Sequence, residues 1–264
     1  MKAVAGKIRL GPFFIKILKW FNYGYVKLFL NGKNKSFLID IFGKPFYQQD
    51  TSQDAFHLNF KYFLEEANKL KGHRILELGS RNAQSRGAFT GFEKYVGIDI
   101  HEGESVDVVG DCHQLSKYFE RGYFDIVFSI SVFEHLAMPW KVILELNKVM
   151  RTGGLLFIAT HSTWPPHERP WDFWRFSKDA FKVLLNPYTG FEILKNDEGL
   201  PCRILPFGND YSMAGMHKYP ANLGVSVVAR KCGPHDKALV WDLELNKVLQ
   251  SMYPLNPGAR NIKK

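Results

Sequence analysis

Carboxylates recur in this chain where short apolar runs end. Arg74-Ile-Leu-Glu77-Leu-Gly79 reads as a buried strand running into a turn, with an acid beside a glycine whose backbone a ligand can approach closely. Twenty-two positions further on (77 to 99), Tyr95-Val-Gly-Ile-Asp99-Ile100 closes a second run on another acid, and Asp111 follows a third. At the carboxyl edge of an open α/β sheet, a strand-end carboxylate can accept both hydroxyls of a ribose. Each acid alone reads equally well as an ordinary strand-end cap. A fourth run, Phe124–Ile130, leads into Ser131, Glu134 and His135, and a fifth ends at Thr160-His161. An imidazole at such a place can take a proton near neutral pH.

The elements that would position these groups follow from periodicity. Strands are expected at Arg74–Leu78, Tyr95–Ile100, Val106–Val109, Phe124–Ile130, Leu155–Thr160, Phe191–Leu194 and Val225–Ala229. Helices are expected at about 52–70, 84–91, 113–121, 138–150 and 177–186. The first five strands alternate with helices, which implies parallel βαβ units, while the last two lack a clear helix between them and can pair antiparallel. The fold class is therefore α/β: a doubly wound, mostly parallel seven-stranded sheet with helices on both faces, plus an N-terminal helical extension. Residues 1–50 form a basic amphipathic arm and 51–235 the main domain, with loops at 161–176 and 196–222; 236–264 supply a C-terminal helix and basic tail.

The order and spacing of these parts resemble the class I S-adenosylmethionine-dependent methyltransferases. The resemblance is closest to the subgroup whose fourth strand ends in Glu-His-Leu or Glu-His-Val, here Glu134-His135-Leu136. Residues 73–160 match throughout, including a Gly153-Gly154 turn before the fifth strand. The resemblance implies S-adenosylmethionine as cofactor, with Glu77 and Gly79 at its methionine end, Asp99 on its ribose, Asp111 at its adenine amino group and Cys112 lining the adenine pocket. Ser80, Arg81, Ile100, Ser131 and Glu134 complete the expected cofactor contacts. In one departure, Ser80-Arg81-Asn82-Ala83 stands where the family carries further glycines. These larger side chains either narrow the methionine pocket or reach over the substrate. The absence of G-x-G-x-x-G disfavours a nicotinamide dinucleotide, whose pyrophosphate would need it.

After the fifth strand, residues 161–176 carry three tryptophans and three prolines, which exclude a regular helix or central strand. This structured loop would sit above the cofactor. It resembles a branch of the superfamily with an Asp-aromatic-Trp-Arg-aromatic sequence, many members of which are encoded with surface-polysaccharide assembly enzymes. In the functional reading Trp164 and Trp174 form a platform for a sugar or planar ring, and Arg175, with Asp172 beside it, holds an anionic part of the acceptor. In the alternative, the aromatics staple the loop to the sheet and Asp172 pairs with Arg175. The candidates for the base are His161, His167 and His135, with His161 the first choice; His135 reads more readily as scaffold or as a hydrogen bond behind the methionine pocket. No metal site is expected, because no cluster of Asp, Glu and His shows ligand spacing along the chain.

Hydrophobic residues make up 45% of the 264 and aromatics 15%, enough for a packed core. The net charge of +9 comes largely from the first 35 residues, where eight Lys and Arg precede the first acid, Asp40. The rest is nearly neutral, which argues against a nucleic-acid partner. Three unpaired-looking cysteines suit a reducing cytoplasm. Residues 13–30 are amphipathic, with Lys16, Lys19 and Lys27 in one sector, and serve either as a peripheral arm on the inner face of a membrane or as a lid over the site. The expected function is O-methylation of a saccharide hydroxyl on a glycan, lipid-linked or nucleotide sugar. The alternatives are a small-molecule O- or N-methyltransferase of secondary metabolism and a non-catalytic cofactor-binding scaffold subunit. Oligomeric state is not legible.

Overall fold

A computed structural model describes residues 51–70, 72–82, 85–204, 216, 219–239 and 241. The amphipathic segment 13–30, most of the 205–218 excursion and nearly all of the C-terminal helical stretch lie outside these residues. The chain divides into two compact units, residues 1–49 with 203–220 and residues 50–202 with 221–264, and the second carries the sheet.

Helix α1 (Ala55–Lys69) starts where the Asp54 side chain accepts from Phe56 N–H, satisfying one of the orphan donors of its first turn. It stops at Leu70, before Gly72 with its positive φ of 64°. Seven strands follow: β1 (His73–Leu78), β2 (Phe92–Asp99), β3 (Val108–Val109), β4 (Phe124–Ile130), β5 (Met150–His161), β6 (Phe191–Cys202) and β7 (Ala221–Lys231). The sheet order is β3-β2-β1-β4-β5-β7-β6. Strands β1 to β5 run parallel, so the ends of β1, β2, β3 and β4 meet at one edge, with Leu78 opposite Ile98 and Ser129, and Asp99 opposite Val109. β7 pairs antiparallel with both β5 and β6, as the missing crossover helix leads one to expect.

Helices cover both faces. On one, Phe63 of α1 stacks on Phe157 at 5.2 Å and meets Phe89 and Phe128 beneath it. On the other lie α2 (Leu115–Tyr118), α3 (Pro139–Val149) and α4 (Lys178–Leu184), which bury Leu115, Val142, Ile143, Leu146 and Phe181. Each such side chain contributes roughly 1.5–3 kcal/mol by leaving water.

The elements differ from expectation where local signals compete. The helix expected at 84–91 is only a 3₁₀ turn, Ser85–Ala88, because Gly87 weakens it and Gly91 adopts a φ of 69°. The 113–121 helix likewise shrinks to a 3₁₀ turn, Cys112–Gln114, followed by α2. Gly153-Gly154 falls within β5 where the pairing with β4 is irregular: Met150 pairs with Phe124 and Leu155 with Ile126, so residues 151–154 stand opposite Asp125 alone, and Gly153 has a φ of 88°. β6 runs to Cys202 instead of stopping near 194. Residues 195–202 lack an apolar alternation but still pair with β7.

Lys231 closes β7 and is 8% exposed. Its ammonium donates to the carbonyls of Asn147 and Met150, at the C-terminal end of α3, where a cation also suits the helix dipole. Lys231→Met should lower unfolding stability by about 1–3 kcal/mol by stranding these carbonyls, as chemical denaturation would measure.

Candidate active site

A cavity of about 360 Å³ opens at the carboxyl edge. Its floor is set by Gly79, just beyond β1, which turns with a φ of 76°. A Cβ there would lie 2.2 Å from Val132 Cγ2, so only glycine lets the loops after β1 and β4 meet. Glu77, Gly79, Arg81, Asp99, Ile100, Asp111, Cys112 and Ser131 all line the cavity. Ser80 does not. Its side chain is fully buried and would lie 2.5 Å from a Cβ on Gly97, so it faces β2.

The acids are held by their own backbone. Asp99 accepts from the N–H groups of His101 and Arg81, and Asp111 from the N–H of His113. A carboxylate has about four acceptor positions, so both retain capacity for a ligand. Burial alone would raise the Asp111 pKa, but the His113 imidazole 2.7 Å away outweighs it and holds the carboxyl below its usual range. Glu77 goes the other way. Burial pushes its pKa up despite the Tyr95 hydroxyl donating to it at 2.5 Å, so a ligand cation would meet a poorly solvated carboxylate. Burial also keeps Cys112 a neutral thiol, an apolar wall for a flat ring.

The far end of the cavity is lined by His135, Leu136, Glu168 and Trp171. The Nδ1–H of His135 donates to the Trp171 carbonyl at 2.6 Å, and its Nε2 lies 3.9 Å from Glu134 Oε1 and 4.0 Å from Glu168 Oε2. Two cavity-lining residues, Ser131 and Glu168, hold positive φ angles of 55° and 47°, backbone strain of the kind that collects at functional sites. His161 and His167 do not line the cavity. His161 stacks flat on Trp164 with ring centroids 4.7 Å apart, and its Nδ1 lies 2.7 Å from Glu134 Oε1.

Glu134 is wholly buried and also stands off the cavity wall. Its Oε2 accepts from the Thr160 hydroxyl at 2.5 Å, and its backbone carbonyl accepts from the N–H groups of Phe173 and Trp174. Burial raises its pKa, but the adjacent His161 and the Thr160 hydroxyl more than reverse this, so the carboxyl stays below its ordinary range. The substrate residues expected in the loop lie off the cavity as well. Asp172 and Arg175 form a two-point ion pair at 2.6 and 2.9 Å, Trp174 donates to the Leu136 carbonyl, and Trp164 is exposed. The fold also gathers Glu134, His161 and His167 into one cluster. Their separation along the chain (134, 161, 167) hid it.

Acceptors at Glu77, Asp99 and Asp111 face the space that a ligand with an ammonium, two ribose hydroxyls and an adenine amine would fill. Residues 76–158 match the family model described as a methyltransferase domain. Residues 76–158 carry a methyltransferase domain. No curated protein sequence matches the chain. Similar solved structures include a protein of Bacillus halodurans assigned as a methyltransferase, 18% identical, with a TM-score of 0.50, covering 64% of this chain and 97% of that one. An S-adenosylmethionine-dependent methyltransferase of Archaeoglobus fulgidus is 16% identical, with a TM-score of 0.47, covering 66% and 92%. A Haloferax volcanii protein solved in complex with the Trm112 methyltransferase activator is 18% identical, with a TM-score of 0.47, covering 67% and 89%.

The bound cofactor supplies an electrophilic methyl group on a sulfonium. Asp99 and Asp111 would be the residues to hold its ribose and adenine, and Glu77 the one to pair with its methionine ammonium.

The loop over the site depends on Asp172, whose pKa falls from 3.8 to about 2. Burial opposes the shift, but Arg175 and the His167 N–H outweigh it. A depressed carboxylate contributes stability that is present above its unfolded pKa and lost as pH falls through the folded one. Asp172→Asn should therefore cost roughly 2 kcal/mol at pH 7. The gap to the wild type should close as pH drops from about 4 toward 2, as denaturation across pH would show.

Proposed function

We propose that this methyltransferase transfers the methyl group to a hydroxyl of a saccharide, with His135 as the base that receives the hydroxyl proton. The observation that carries this reading is the placement of His135: its Nδ1–H is held by the Trp171 carbonyl, and its ring, with Nε2 toward the Glu134 and Glu168 carboxylates, borders the cavity. Glu168 beside it offers a carboxylate for neighbouring hydroxyls, and the Trp171 ring offers an apolar face for the C–H side of a sugar. His161 and His167 become supports of that end, because neither reaches the cavity. Trp164, exposed above His161, is the outer platform for the acceptor, while Asp172 and Arg175 brace the loop that carries it.

Among the described residues, no helix is long and apolar enough to cross a membrane. A lipid-linked acceptor would give the amphipathic segment 13–30 a role at a membrane surface, with its lysines toward anionic headgroups.

Nucleotide sugars and extracted glycolipids, each incubated with methyl-labelled cofactor, should reveal a labelled O-methyl saccharide. Label only on amines or on non-saccharide small molecules would replace this acceptor class. With the acceptor in hand, His135→Gln should slow the chemical step by about 10²- to 10⁴-fold and remove the low-pH limb of the rate profile, with cofactor affinity nearly unchanged. A near-normal single-turnover rate with the same pH profile would take the base role away from His135.

A further inference from the structure

We propose that Glu134, His161 and His167 form a binding site for a divalent first-row transition metal of the zinc class. One oxygen of Glu134 and one ring nitrogen of each histidine all lie within 4.8 Å of one another. The three come from separate places: just beyond β4, the end of β5, and the loop that follows. Glu134 Oε1 and His161 Nδ1 are both buried and 2.7 Å apart, an ion-pair contact in which the proton between them occupies the place that a metal ion would take.

The surroundings already hold the other atoms of these side chains. Thr160 donates to Glu134 Oε2, which directs Oε1 toward the histidines. His167 Nδ1 lies 3.2 Å from the Pro165 carbonyl, which can only accept; the proton therefore sits on Nδ1 and the lone pair on Nε2. Partners of this kind fix the tautomer and direction of metal ligands. Asp172, close to His167, is already bound by Arg175 and is no ligand.

Two imidazoles and one carboxylate suit zinc or its neighbours in the first row, whereas magnesium and calcium favour oxygen donors throughout. Three protein ligands leave a fourth position for water or an acceptor hydroxyl. His135 Nε2 lies 3.9 Å from Glu134 Oε1, so the cluster borders the acceptor end of the cavity. Metal binding here does not depend on which acceptor is methylated.

The full chain, freed of metal by a chelator and dialysed, is titrated with Co²⁺ alone. One equivalent should bind, giving visible absorption bands that Zn²⁺ abolishes. His161→Gln and His167→Gln should each weaken binding by at least about tenfold while S-adenosylhomocysteine affinity holds, which separates loss of a ligand from misfolding. No binding up to about 100 µM Co²⁺, or undiminished affinity in both folded variants, would overturn the site. Should either variant fail to bind S-adenosylhomocysteine, the zinc content of the loaded and dialysed wild type decides, with one equivalent supporting the site and none overturning it.

Discussion

The buried carboxylate of Glu134 is the interaction on which the acceptor half of the site depends. Its side chain joins β4 to β5 through Thr160 and His161, and its backbone carbonyl holds the loop through Phe173 and Trp174. A buried charge of this sort is tolerated only when paired, and removing one partner commonly costs about 3–5 kcal/mol. The loop thus has one place to sit. That placement brings the Trp171 carbonyl to His135, whose ring borders the cavity.

The cavity has two halves with different origins. The cofactor half is built from the ends of β1, β2 and β3, where parallel pairing brings Glu77, Asp99 and Asp111 to a common edge. Nothing but the sheet is needed to align them. The acceptor half comes from the turn after β4 and from the loop after β5, and its backbone departs from regular geometry at Ser131 and Glu168. Strained turns at the border of the two halves place side chains that a regular helix or strand would send elsewhere.

This division explains what was legible in the sequence. All seven strands could be read, because apolar runs of the right length were bounded by polar or glycine positions. The acids that line the cavity could be read for the same reason, since each stands at or just beyond a strand end. Ser80 could not: the left-handed turn at Gly79 swings it under the loop, and no local pattern signals that. The sequence put His161 and His167 ahead of His135 as candidates for the base, whereas of the three it is His135 that borders the cavity. His161 ends a strand, as a base would, but its contact with Glu134 and its stacking on Trp164 hold it aside. His135 points inward because of a carbonyl 36 positions away along the chain. Contacts of that range leave no trace in periodicity, and the histidine–carboxylate cluster stayed hidden for the same reason.

The central claim is that the strand-end acids seat the cofactor, and calorimetry with S-adenosylhomocysteine tests it most directly. The wild type should bind, and Asp99→Ala, losing hydrogen bonds from the ribose to a charged group worth roughly 1.5–3 kcal/mol, should bind about ten- to a hundredfold more weakly. A folded Asp99→Ala protein with undiminished affinity would contradict the placement of the ribose, and with it the orientation of the cofactor toward His135.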